Sequence, residues 1–128
     1  MKNQNDTVLD FLLTRRSRPA KTLKAPAPDK ETLITILSAA ARTPDHGKLE
    51  PWRFIVLGKE ALTSLSSIAE KRARALSYDE AGVAKACKSF LDGPLAVAVI
   101  EVQKPSEKIP AIEQTYSAGA ACLALLNA

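Results

Sequence analysis

Histidine, cysteine, methionine and aromatic side chains are all scarce in this chain, and each scarcity closes off a class of function. One His and two Cys among 128 residues exclude a multi-His metal site and a Cys₄ zinc site. Two thiols make no disulfide scaffold. The single Met is the initiator, and one Trp, two Tyr and three Phe are all the aromatics. Long apolar runs are missing as well. The longest uncharged stretch lies at the C-terminal end, is rich in Ala, Gly and Ser, and falls short of the roughly 17–25 residues a bilayer-spanning helix needs. No secretory signal is visible, because Asp10 interrupts the apolar residues 8–13 and the Arg pair follows them instead of preceding them. A reduced, cytoplasmic protein with no membrane partner is the expectation.

What is present fits one soluble globular domain over residues 1–128, with 46% of residues apolar and 25% charged. Eight Pro against five Gly, without any low-complexity tract, argues against disorder or a fibre. The formal charge is +4, and its placement says more than its size. Arg15, Arg16, Arg18, Lys21 and Lys24 fall within ten residues that hold no acid. Removing those five from the 18 basic residues leaves 13 against 14 acids, so the rest of the chain is close to neutral. A local knot of this kind suits one phosphorylated small molecule better than a duplex tracked over many phosphates.

Periodicity and turn residues predict seven elements. Thr7-x-x-Asp10 resembles a capping box, with Val8, Leu9, Leu12 and Leu13 on one stripe of a first helix that stops before Pro19. Residues 21–28, with Pro26 and Pro28, read as an extended connector. Asp29 is the N-cap of a second helix facing Leu33, Ile36, Leu37, Ala40 and Ala41 inward, ended by Pro44. Residues 53–57 form a strand closed by Gly58, and Leu62, Leu65, Ile68, Ala69 and Leu76 mark a third helix. Asp79 caps a fourth with Val83, Ala84, Cys87 and Leu91 inside. Residues 95–102 make a strand apolar on both faces, which predicts a central place in a sheet. A last helix begins near Ala111 and is apolar or small-sided nearly all round from Tyr116, the pattern of a buried helix. The class is α+β. Two short strands make no stable sheet alone, so the remaining strands are expected from a partner or from a longer chain.

Two constellations carry chemistry. Arg15-Arg16-Ser17 closes a helix with two fork-shaped donors and a hydroxyl suited to phosphate; the plainer reading is a solvated helix end whose cations complement the dipole. The loop from Thr43 to Pro51 holds Asp45, His46, Lys48 and Glu50 between two prolines, with Arg42 just upstream. Such a stiffened loop is a natural place for ligand contacts, although His46 also reads as a surface or capping residue. Trp52 reads as a core anchor. Cys87 and Cys122 fall on apolar helix faces, where Cys is a small hydrophobe, and Ser17 lacks a Gly-x-Ser-x-Gly elbow.

The order of these motifs resembles the FMN-dependent nitroreductase family. A helix ends in Arg15-Arg16-Ser17, a Pro-containing stretch follows, and a second helix ends in Ala41-Arg42-Thr43-Pro44. Pro51-Trp52-Arg53-Phe54 then opens a strand. Where the family loop usually has a Ser pair, an Asn and a Gln, this chain has Asp45-His46, Lys48 and Glu50, like the compact subgroup whose loop reads Pro-Asp-His. Glu113-Gln114-x-x-Ser117-Ala118-Gly119 resembles the start of the family's central dimer helix.

The resemblance implies a nitroreductase fold, a homodimer, and FMN as cofactor with NAD(P)H as hydride donor and a nitroaromatic, quinone or similar acceptor. It further implies FMN contacts at Arg15, Arg16 and Ser17. Arg42 and His46 match flavin-contacting positions on a loop that often serves the opposite subunit. No catalytic side chain is implied, since the cofactor carries the reaction. Family members run well beyond this length, so the expectation is a chain lacking the family's C-terminal part. Two competing readings follow from the sequence: a non-catalytic remnant that dimerises or binds a flavin or nucleotide, and a small basic nucleic-acid binder using residues 15–24. The near-neutral remainder and the scarce aromatics argue against the second.

Overall fold

The elements follow in the predicted order in a computed structural model that describes residues 4–128. They are α1 (Gln4–Thr14), α2 (Lys30–Ala41), β1 (Trp52–Leu57), α3 (Lys59–Ala75), α4 (Glu80–Leu91), β2 (Ala96–Glu101) and α5 (Ala111–Asn127). Single 3₁₀ turns occupy Ala20–Thr22 and His46–Lys48. Asp29 and Asp79 cap their helices as their positions predict, accepting from the backbone N–H of Thr32 at 2.8 Å and of Gly82 at 2.7 Å. The first helix is already running at Gln4, so Thr7 and Asp10 lie inside it and form no start.

The two strands pair with each other, antiparallel, from Trp52 opposite Glu101 to Leu57 opposite Ala96. The α3–α4 hairpin connects them, α5 lies against β2, and α2 lies against α5. Among the described residues β2 has β1 as its one neighbour, so the expected central position is not filled within the chain. Residues 95–100 are nonetheless half-buried without alternation, as a strand covered on both faces should be.

The core is thin and made largely of small side chains. Leu62, Ala73 and Val83 are buried in the helical hairpin, where Ser66 Oγ donates to the Cys87 carbonyl at 3.3 Å. Ala40 of α2 and Ala118 and Ala121 of α5 are buried in the second packing site, and small residues let two helices approach closely. Several expected inward positions are not inward. Ala41 and Ala84 are exposed, each one residue, hence about 100° of helix rotation, beyond a buried neighbour. Leu91 is exposed at its helix end, and Cys122 is exposed too. Trp52 is half-buried, and Pro51 is the side chain fully enclosed at the start of β1.

The largest departure concerns the helix predicted to be buried. Tyr116 and Leu126 of α5 are 70% and 68% exposed, and Ile112 and Leu123 are exposed as well. The apolar stripe of α1 is equally bare, with Leu13 75% exposed beside Val8, Leu9 and Leu12. The chain folds back on one side of α5 only. Among the described residues no helix is long and apolar enough to cross a membrane.

Three exposed carboxyls sit below their ordinary range. Asp29 is held there by the Thr32 N–H, Glu80 by the Arg74 guanidinium at 2.8 Å, and Glu101 by the Thr115 hydroxyl at 2.7 Å and then by Gln103. Each therefore binds fewer protons folded than unfolded at mildly acid pH. The stability they contribute is complete above the ordinary carboxylate range and is lost as pH falls through their lowered values. The thermal midpoint is expected to hold from pH 7 to about 5 and to fall below that. Asp29→Asn, which keeps an acceptor but does not titrate, should make the fall shallower. An identical acid profile in that variant would exclude Asp29 from acid unfolding.

Candidate functional site

The backbone leaves α1 where its last turn is closed by Thr14, whose hydroxyl donates to the Asp10 carbonyl at 2.6 Å, and by the Arg15 N–H on Phe11 at 2.8 Å. The chain then runs extended to Pro19. Arg15, Arg16, Ser17 and Arg18 line one wall of a cleft of about 480 Å³, facing Leu126 and Asn127 at the end of α5. Arg15 Nη2 lies 3.4 Å from Ser17 Oγ. Among the described residues no carboxylate is within ion-pair distance of Arg15, Arg16 or Arg18. Asp and Glu are missing from the residues that line this cleft, and a cluster of cations without a nearby carboxylate favours anions. Asn127 adds a second irregularity: its Oδ1 is buried and has no hydrogen-bond partner. An unmet acceptor of this kind costs about 1–3 kcal/mol.

The loop before β1 is held by a different set of contacts. Asp45 Oδ2 accepts from the Glu50 N–H at 2.6 Å, and the Trp52 N–H bonds the Glu50 carbonyl at 2.8 Å. Between these bonds Gly47, Lys48 and Glu50 adopt left-handed backbone, with φ of 73°, 53° and 47°. Two non-glycine residues in that region within three positions store strain, which the fold keeps where geometry matters. Glycine suits position 47, because its φ is positive and a methyl group there would meet Cδ1 of buried Ile109, whose side chain would have to shift. Arg42 lines a second open cleft with Asp45, Lys48, Glu50 and Trp52. It mixes both signs of charge and is less suited to an anion than the first.

His46 leaves this loop toward the start of α5, where its Nδ1 lies 2.7 Å from Glu113 Oε2. The side chains are 62% and 44% exposed. The next residue, Gln114, is buried and clamps the Lys104 backbone, accepting from its N–H at 2.8 Å and donating to its carbonyl at 2.9 Å. Ser106 Oγ accepts from the Ile109 N–H at 3.1 Å, so the segment that supports Gly47 is tied to the same turn of α5.

The five residues singled out from the sequence therefore form two groups. Arg15, Arg16 and Ser17 sit at the C-terminal end of α5, while His46 sits at its N-terminal end with Arg42 on the adjoining loop. Thirteen residues separate Glu113 from Leu126, about 20 Å of helix. Sequence reasoning missed Asn127 and the His46–Glu113 contact. The second spans 67 positions, and nothing local announces such a pairing.

Residues 12–128 match the Nitroreductase family. Escherichia coli K12 has a protein named "Putative NAD(P)H nitroreductase YdjA" that is 37% identical over 117 residues, 91% of this chain and 63% of that protein. A similarly named protein of Haemophilus influenzae is 38% identical over 118 residues, with the same coverage. The chain thus spans 63% of the length of these relatives. A crystal structure of a nitroreductase-like family protein from Bacillus cereus superimposes with a TM-score of 0.71 at 24% identity, over 94% of this chain and 62% of that one.

The left-handed glycine gives a direct check on the loop. Gly47→Ala combines positive φ with a steric conflict at Ile109, a cost of about 1–2 kcal/mol. A fall of roughly 4–8 °C in the thermal midpoint is expected. An unchanged midpoint would mean that the loop relaxes freely and positions nothing.

Proposed function

The chain belongs to the nitroreductase family, and from that premise we propose that it serves an FMN-dependent oxidoreductase. The reaction passes hydride from NAD(P)H to nitroaromatic, quinone or similar acceptors in the cytoplasm. The observation that carries this reading is the acid-free arginine cleft. A phosphomonoester dianion needs several donors and no competing carboxylate, and Arg15, Arg16, Arg18 and Ser17 offer that set. The orphaned Asn127 Oδ1 in the wall of the same cleft supports the fit, since a ribityl chain brings hydroxyl donors. When bound, FMN supplies the hydride-accepting and hydride-donating chemistry. The residues of this chain bind and orient it.

The second group belongs to the same site under a two-fold arrangement. An isologous dimer that pairs α5 antiparallel with its copy sets the N-terminal end of one helix beside the C-terminal end of the other. His46 and Arg42 of one protomer then approach the arginine cleft of its partner. The bare faces of α5 and α1 support this reading, because a monomer seldom exposes contiguous apolar surface on that scale. Gly119 supports it too. A glycine inside a helix costs stability, and here, among the described residues, nothing beyond its own stretch of helix lies within 4 Å of where its Cβ would be. A close approach by a second helix accounts for it.

Arg15→Ala and Arg16→Ala test the phosphate assignment. A charge-assisted hydrogen bond contributes about 1.5–3 kcal/mol, so each variant should bind FMN at least about tenfold more weakly in a fluorescence titration. Unchanged affinity in both would remove the assignment. Bound flavin that NADPH does not bleach would favour a binding protein over an enzyme.

A further inference from the structure

We propose that Glu113 is the positioning residue for His46, fixing which ring nitrogen the imidazole presents to the cofactor. The inference deepens the flavin reading and rests on it. Glu113 Oε2 lies 2.7 Å from His46 Nδ1. A carboxylate only accepts at neutral pH, so Nδ1 carries the proton and donates. Neutral imidazole has one N–H, so Nε2 keeps its lone pair. His46 then meets its ligand as an acceptor at Nε2, for a ribityl hydroxyl or a ring N–H.

Three further features hold the pair, and they converge from separate elements. The Asp45–Glu50 bond and the left-handed backbone at Gly47 fix where the histidine leaves the loop. Ile109 is buried, and its Cδ1 lies where a Cβ at Gly47 would sit. Gln114, adjacent to Glu113, binds Lys104 through both backbone groups and so anchors the segment carrying Ile109 to α5. The path closes on itself: Glu113 to His46, Gly47 to Ile109, Lys104 to Gln114. The backbone at both ends of the His46–Glu113 contact is thereby tied to buried groups. The adjacent Glu113-Gln114 dipeptide thus divides its work, with Gln114 supporting the loop and Glu113 orienting the ligand-facing ring.

The chain has a single histidine, so a long-range ¹H–¹⁵N spectrum of the apo-protein reports His46 alone. Above the imidazole titration the wild type should show the Nδ1–H tautomer in excess. Glu113→Ala should revert to the Nε2–H excess of free histidine, and Glu113→Gln, whose amide oxygen still accepts, should keep Nδ1–H. FMN titration should show Glu113→Ala about two- to fivefold weaker, the lower part of what a single hydrogen bond contributes net. Glu113→Gln should restore most of that, and Glu113→Ala should cause no further loss in a His46→Ala background. An Nε2–H excess in the wild type, or an unchanged FMN affinity in Glu113→Ala, overturns the proposal. Failure of the wild type to bind FMN at all would instead refute the flavin reading, and the tautomer would still decide whether Glu113 orients His46.

Discussion

The unmatched apolar surface of α5 is the constraint on which the rest depends. An apolar helix must be covered on every side where it carries apolar groups, and this chain covers one side. There β2 and α2 pack against it, and Ala40, Ala118 and Ala121 are buried. The other side shows Ile112, Tyr116, Leu123 and Leu126. The functional groups are distributed by the same helix. Glu113 at its start holds His46, and Leu126 and Asn127 at its end close the arginine cleft. A straight helix keeps those ends about 20 Å apart. On the proposed reading a single copy holds two half-sites, and whatever covers the bare face of α5 decides whether they meet.

Within each half-site the energetics differ in kind. The proposed phosphate contacts at the arginine cleft are a matter of clustered positive charge, cheap in an exposed position and strengthened where a bound dianion displaces water. The histidine loop is a matter of backbone. Left-handed Lys48 and Glu50 are unfavourable conformations, kept where Asp45 closes the turn and a glycine with positive φ sits against Ile109. Strain of this sort is retained where a side chain must leave the loop in one direction.

Much of this was legible in the sequence, and the limits are physical. Asp29 and Asp79 announced two helix starts because capping is local, and the prolines and Gly58 bounded the loop and β1. The acid-free stretch at residues 15–24 is visible in composition, and of its five cations Arg15, Arg16 and Arg18 line the cleft. The family resemblance came from motif order and is matched by residues 12–128. Burial was less legible. Ala84 and Leu91 are as apolar as their buried neighbours, and which residue faces inward depends on what packs against the helix. The exposure of α5 follows from the absence of a cover within the chain, which periodicity cannot report. The separation of His46 from Arg15 was equally hidden, because motifs in sequence carry no distance along a later helix.

The central claim is that one flavin site draws on two copies of the chain. The direct measurement is FMN binding by mixed protomers, one carrying both Arg15→Ala and Arg16→Ala and the other His46→Ala, each deficient alone. In an antiparallel two-fold dimer the hybrid holds one site with all of these residues intact. Equal mixing and reassociation should therefore restore about a quarter of the wild-type flavin stoichiometry. No recovery on mixing, with hybrid dimers present, would contradict the account and place each site within a single protomer.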